Sequence, residues 1–438
     1  MVRVQDAMAE RISVACCIAG GGPAGMMLGV LLARAGVDVL VLEKHADFLR
    51  DFRGDIIHPS TLEVLHELGW LEAFLALPHQ DVRELTALVG DAAITIADFR
   101  HLPTHCRFVA FMPQWDFLNF LAQRGAMYPA FRLRMETEVS GLLEESGRVV
   151  GVCARRHGEP IEVRSDLVVG ADGRDSIVRA AAALPVTDLG APMDVVWFRL
   201  TRRPAEDSPP LGRIQPGRIF IALNRGEHWQ CGYVIPKGHA EVVRGRGLEA
   251  FRADVARLLP SAQNRVGEIG GWDDVKLLTV RVDRLERWSR PGLLCIGDAA
   301  HAMSPVGGVG INLAIQDAVA AANLLAAPLR EGRLTPDLLE QVQRRRDWPT
   351  RATQTLQIAI QKRIIGRVLS AAGPLRPPVL VRLLNAVPAL RRIPARLIGL
   401  GVRPEHVRTK ETAPSRAPAG RQSDAHPDPS NVAQPHGL

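Results

Sequence analysis

Tyrosine is almost missing from this chain: 438 residues contain only Tyr128 and Tyr233, and all aromatics together make up 5%. A site that relays protons through several phenols is excluded by that count. Six cysteines, at 16, 17, 106, 153, 231 and 295, form no C-x-x-C pair and no ladder of spacings. A disulfide scaffold and a thiolate metal site are therefore not expected, and the thiols read as reduced, buried residues of a cytoplasmic protein. No uncharged apolar stretch reaches the roughly 18 to 20 residues that cross a bilayer. Met1–Glu10 holds two acids and no apolar core, so no secretory signal is expected either. The net charge is +7, yet aromatics do not interleave with the basic residues and no recognition motif accompanies them, which argues against nucleic acid.

What the chain does have is three glycine-bearing turns, the second and third also carrying aspartate, each following an apolar run. In the first, the β-branched run Arg11 to Ala19 reads as a buried strand and Ala24 to Ala35 as a helix, with Gly20, Gly22 and Gly25 at G-x-G-x-x-G spacing between them. Glycine there allows a tight turn, close approach of backbone to a pyrophosphate, and close packing of helix on strand, while the helix N-terminus with Pro23 and Ala24 faces the phosphates. A second strand, Asp38 to Leu42, ends at Glu43 beside Lys44. Glu43 lies 18 residues past Gly25, where a carboxylate accepts hydrogen bonds from an adenosine ribose. The other two segments are Gly170-Ala171-Asp172-Gly173-Arg174-Asp175-Ser176-Ile177-Val178-Arg179 and Cys295-Ile296-Gly297-Asp298-Ala299-Ala300-His301. The latter runs on through Pro305-Val306-Gly307-Gly308-Val309-Gly310-Ile311-Asn312 into a long helix.

With these three segments in this order, the chain resembles the single-component, class A FAD-dependent monooxygenases, the aromatic hydroxylase superfamily typified by p-hydroxybenzoate hydroxylase. The resemblance covers about Ile12 to Leu325. It implies an α/β fold: a Rossmann-like FAD-binding domain interleaved with a mostly antiparallel β-sheet substrate domain and followed by a helical C-terminal segment. Asp172 is then expected near the pyrophosphate and the route of the nicotinamide donor, and Asp298 on a ribityl hydroxyl. Pro305, Gly308, Gly310, Ile311 and Asn312 are expected around the flavin ring. His301 is expected to pack the loop rather than act as a base. Arg53 falls where the family places an arginine near the diphosphate, and Gln114 where a glutamine or arginine reaches the ribityl chain. The implied cofactors are FAD and NADH or NADPH as donor. The implied chemistry is reduction of the flavin, reaction with O₂ to a C4a-hydroperoxide, and transfer of one oxygen to a bound small molecule.

The boundaries that follow are FAD-binding parts at 1–84, 104–190 and 276–360, substrate sheet at 85–103 and 191–275, a basic amphipathic helical segment at 361–410, and a disordered tail at 411–438. In the substrate sheet, alternation predicts that Trp197, Arg199, Phe220, Ala222, Trp229, Cys231 and Tyr233 face the ring. The chain departs from the best-understood family members here, lacking both their substrate-deprotonating tyrosines and the arginine that grips a carboxylate. A larger, apolar, aromatic or polycyclic substrate is expected, to be hydroxylated or epoxidised. Between 361 and 410 stand nine arginines and two lysines against one acid, Glu405, a net of +10 that leaves −3 for the rest. These helices are expected to pack over the substrate domain, with a peripheral contact to the inner face of a membrane, or to a partner helix, as the alternatives. The rival functions are an FAD-dependent reductase or dehydrogenase of an isoprenoid-type substrate without oxygen transfer, and a non-catalytic flavoprotein. A halogenase is excluded, since no two of the seven tryptophans stand at W-x-W spacing.

Overall fold

The computed structural model describes residues 10–49, 56–90, 92–204, 206, 211–373, 375 and 379–412. An eight-stranded sheet carries the three motifs. Its central strand, Glu10–Ala19, runs parallel to Val39–Leu42 on one side and Glu159–Gly170 on the other; Phe131–Arg134 and Leu293–Cys295 extend the sheet outward, also in parallel. Helices cover both faces of such a sheet, and its strands are accordingly continuous apolar runs: all of Val39–Leu42 is buried. The register places Ala19 opposite both Leu42 and Gly170, and Gly170 opposite Cys295. Four strands thus end on one row, and the next residues are Gly20, Glu43, Ala171 and Ile296. That row is the carboxyl edge at which open α/β sheets bind ligands.

Helix Pro23–Arg34 packs against helix Gly310–Arg330 beneath this edge. The segment Val306–Arg330 is long and apolar enough to cross a membrane by composition, but 83% of its most apolar window is buried inside the protein, as befits a core helix.

The second sheet has seven strands, ordered 276–278, 193–201, 228–236, 218–224, 212–215, 84–89 and 92–98. Every neighbouring pair is antiparallel except 212–215 with 84–89. Residues directly opposite in an antiparallel pair share a face. Val195 lies opposite Val234, which lies opposite Ile219; Trp197 lies opposite Gly232, which lies opposite Ile221. This face looks toward the carboxyl edge of the first sheet. Val196, Phe198, Phe220, Ala222, Trp229, Cys231 and Tyr233 occupy the other face, sealed under helix Leu248–Leu258 and the turn Pro260–Glu268.

The expected ring-facing set is corrected on this point. Trp197 and Arg199 stand on the inner face, whereas Phe220, Ala222, Trp229, Cys231 and Tyr233 stand behind the sheet. Strand His228–Pro236 is buried on both sides from Trp229 to Ile235, so it has no polar alternation to mark its faces. Only the cross-strand register assigns them.

Beyond the long helix Pro336–Ile360 come a π-helical turn, Gln361–Ile365, and helices Gly366–Leu369, Val379–Ala386 and Arg392–Gly399. The last two pack against strand Ala92–Asp98. Helix was expected through 410 but stops at Gly399, since Gly401 turns out of the helical region at φ +80° and Pro404 has no N–H to give, and distant side chains then take the following backbone groups. Gln316 accepts from the Glu405 N–H, Glu67 from that of Val407 at 2.7 Å, and Asn323 from that of Arg408 at 2.8 Å. Residues 400–412 therefore cross the first domain as an extended strap, ending with the Thr412 N–H on the Arg34 carbonyl at 2.9 Å. From 413 onward the expected tail lies outside the described residues.

Phe251 anchors the outer cluster, its ring 5.4 Å from that of Phe198, 5.6 Å from Tyr233 and 5.5 Å from Trp272. Phe251→Ala is expected to destabilise the protein by about 3–5 kcal/mol in urea denaturation. Ligand affinity should be nearly unchanged, because this cluster does not line the inner face.

Candidate functional site

One cavity of about 1550 Å³ lies between the carboxyl edge of the first sheet and the inner face of the second. It exceeds the roughly 300–1,000 Å³ of an ordinary small-molecule site, so it has room for more than one ligand. Of the residues singled out in the sequence, Gly20, Gly22, Pro23, Ala24, Glu43, Lys44, Gln114, Asp172, Asp298, Pro305, Gly308, Gly310 and Ile311 line it. Arg53 lies outside the described residues.

The glycines of the first turn have distinct physical reasons. A Cβ on Gly20, whose φ is +104°, would collide with the Ala171 carbonyl, and one on Gly25 with the Gly20 carbonyl. A Cβ on Gly22 would meet nothing within 4 Å. Gly20 and Gly25 are thus required by the protein's own packing, and Gly22 borders open space at the helix N-terminus, where a phosphate can approach. Glu43 closes this end: its buried carboxylate accepts from the Gly21 N–H at 2.9 Å and the His45 N–H at 3.1 Å.

The second and third motifs are joined to each other. Asp172 caps the helix Ile177–Ala181, accepting from Ser176 Oγ at 2.6 Å and the Val178 N–H at 3.1 Å. Burial pushes the Asp172 carboxyl up, and these hydrogen bonds only partly oppose it. Arg174 Nε donates to Asp298 Oδ2 at 3.0 Å, setting the orientation of that carboxylate at the cavity wall. Behind Asp298, the wholly buried Asp317 accepts from the Gly297 N–H at 3.1 Å, His301 Nε2 at 2.6 Å and Arg346 Nε at 2.9 Å. Burial raises the Asp317 carboxyl, but the charges of His301 and Arg346 outweigh it and hold the group below its ordinary value. His301 is therefore a brace of the loop, out of the cavity.

The loop from Pro305 turns through Gly307 at φ +80° and Gly308 at φ +63°, and helix Gly310–Arg330 begins facing the cavity. Its first intrahelical bond, Leu313 N–H to the Val309 carbonyl at 3.0 Å, leaves the N–H groups of Gly310 to Asn312 at the free end. Asn312 was expected beside the ring, and its side chain is corrected. One helical step past Ile311 it points away, accepting from Ser60 Oγ at 2.5 Å and Thr61 Oγ1 at 3.0 Å. Arg199 is exposed at the far end of its strand and does not line the cavity.

Three buried glutamines hold this loop and were not singled out in the sequence. Gln354 donates to the Asp283 carbonyl at 2.8 Å, Gln357 to the Val306 carbonyl at 2.8 Å and the Ser304 carbonyl at 3.1 Å, and Gln361 to Ser304 Oγ. Their spacing of three and four along one helix was the available signal. His58 holds the loop from the opposite side through its Nε2, 3.0 Å from the Gly308 carbonyl.

Open space at Gly22, an oriented carboxylate at Asp298, and a helix N-terminus beneath the glycine turn fit FAD laid along the carboxyl edge. A family model for an FAD binding domain matches residues 13–357. The chain is 33% identical over 385 residues to 6-methylpretetramide 4-monooxygenase of Streptomyces rimosus, an overlap spanning 87% of this chain and 91% of that protein. The solved structure of OxyS anhydrotetracycline hydroxylase, also from Streptomyces rimosus, superposes with a TM-score of 0.69 at 26% identity, covering 90% of this chain and 77% of that one. At 25% identity over 336 residues, the chain is also similar to digeranylgeranylglycerophospholipid reductase of Methanocella arvoryzae, across 74% of this chain and 80% of that protein.

Burial pushes the His58 imidazole down to about 4. Below the ordinary histidine value near 6.5 the unfolded chain takes up a proton that the folded protein refuses, so stability is lost as pH falls from about 6.5 toward 4. His58→Asn should flatten that loss by about 2–3 kcal/mol, read from denaturation midpoints at pH 7 and 4.5. Parallel curves for the two proteins would contradict a neutral, buried His58.

Proposed function

We propose, on the premise that this chain belongs to the FAD-binding-domain family and is an FAD-dependent monooxygenase, that its substrate is a large, apolar, polycyclic aromatic molecule. NADH or NADPH is the electron donor in this reading. The observation that carries it is the composition of the roof end of the cavity, which is lined by Val195, Trp197, Ile219, Ile221, Val234, Leu85 and Ile94 of the roof sheet together with Leu390. Among the described residues lining that wall no carboxylate, histidine or tyrosine occurs. Aliphatic side chains of this kind hold a small benzoate-like acid only weakly, whereas a flat polycyclic molecule buries far more surface against them. The relative of Streptomyces rimosus acts, by its name, on 6-methylpretetramide, which is in keeping with such a substrate.

FAD, when bound, supplies the two-electron chemistry that activates O₂. The chain's own residues bind and orient. The N-terminus of helix Pro23–Arg34 at Gly22 would hold the diphosphate, Glu43 would take the ribose, and Asp298, steered by Arg174, would take a ribityl hydroxyl. N–H groups at the start of helix Gly310–Arg330 would offset negative charge on a flavin ring bound beside them. The apolar roof keeps water from the reacting face and fixes which substrate carbon approaches it.

Two measurements test this. Turnover of polycyclic phenols under ¹⁸O₂ should place one labelled atom in the product. Unlabelled product, with substrate oxidising the reduced flavin in the absence of O₂, would favour the reductase reading instead. Asp298→Ala should retain FAD about tenfold more weakly or worse, measured by flavin absorbance after gel filtration. Stoichiometric FAD in that variant would misplace the ribityl contact.

A further inference from the structure

The positive charge of residues 361–410 has no use in the mechanism above. Within it, Arg363 and Arg367 line the cavity, four residues apart on the run formed by the π-helical turn and the helix Gly366–Leu369. Both are exposed, which puts them at the mouth of the chamber, and neither has a hydrogen-bond or ion-pair partner among the described residues. The acids that line the same cavity, Glu43, Glu138, Asp172, Asp175 and Asp298, belong to the first domain. The substrate end thus holds two unpaired guanidinium groups and, among the described residues, no anion.

Their backbone is fixed. Gln361, at the start of the π turn, is buried and bonded to Ser304, and Gln357 one turn earlier bonds the loop at Ser304 and Val306. On the other side the Gly217 N–H donates to the Val368 carbonyl at 2.9 Å, tying the run to the roof sheet. An arginine pair anchored to both the loop and the roof stands in set register with whatever lies between them. π-Helical turns often occur at functional positions, because the extra residue re-aims the side chains that follow.

We propose that Arg363 and Arg367 form an anion subsite at the chamber mouth that takes the phenolate or enolate oxygen of the substrate and keeps it ionised. This rests on the polycyclic aromatic reading given above. The guanidinium fork donates charge-assisted hydrogen bonds to such an oxygen, and the O–H proton leaves to solvent at the open mouth. The oxygen's electron pair then delocalises into the ring and makes the carbons ortho and para to it more nucleophilic. The pair would perform the task for which the chain has no tyrosine on this wall.

The test uses the full-length, FAD-loaded protein with two probes, 1,8-dihydroxyanthraquinone and unsubstituted anthraquinone, and with Arg363→Gln, Arg367→Gln, the double variant and the double Arg→Lys variant. The visible band of the bound phenol, followed against pH, should show ionisation at lower pH than free in solution. The double Gln variant should return it toward the free value and weaken phenolate binding about tenfold per arginine removed. Lysines should restore part of the effect, and anthraquinone affinity should stay constant across the series. An unshifted phenol in the unaltered protein, an equal loss of anthraquinone affinity in the variants, or a change confined to the KM of NADH or NADPH would each overturn the subsite. Anthraquinone binding with an unshifted phenol would overturn the subsite while leaving the substrate class standing. Failure of the unaltered protein to bind either probe would overturn both.

Discussion

A single carboxylate ties together the loop, the helix and the strap that frame the floor of this site. Asp317 sits wholly buried midway along the core helix and gathers donors from three directions: the Gly297 backbone beside Asp298, His301 further along the same loop, and Arg346 from the following helix. Arg346 in turn lies 3.5 Å from Glu405 on the C-terminal strap. A buried charge is tolerable only when so compensated, and removing one partner of such a set leaves another uncompensated in a dry interior. The loop that presents Asp298, the helix that leads to Arg363 and the strap that closes the back of the first domain are therefore positioned by one group.

The carboxyl edge provides the other constraint. Because four parallel strands end on one row, three segments separated by more than a hundred residues begin as neighbours, and Gly20 must lack a side chain for Ala171 to fit. The second sheet supplies the opposite wall, and the chain reaches it twice, first through the hairpin 84–98 and later through 193–278. Interleaving of this kind lets one sheet roof a site that another sheet floors without either folding around the ligand.

The first domain was legible in the sequence because its demands are local. A strand, a glycine turn and a terminal Glu43 announce themselves within a few residues. The roof was legible as a sheet but not in its orientation, since Phe220 and Ile221 are both apolar and only cross-strand pairing separates them. Arg344, Arg345 and Arg346 are alike in sequence, yet the first is exposed and the third is among the most buried residues of the chain. The same holds for Gln354, Gln357 and Gln361, whose partners lie about fifty residues or more away. Asn312 was placed in the right loop with its side chain on the wrong side, because one helical step turns it by about 100°.

The cavity runs without a partition from the glycine turn to the roof. In a vessel of that shape, the flavin ring would itself be the floor of the substrate chamber, so the affinities of the two ligands are not independent quantities. Whatever factor by which a seated substrate tightens the hold on FAD, FAD tightens the hold on substrate by the same factor. Cofactor loss and substrate loss are then two readings of one coupling, and a substitution on the inner face of the roof can loosen the flavin without touching any atom that binds it.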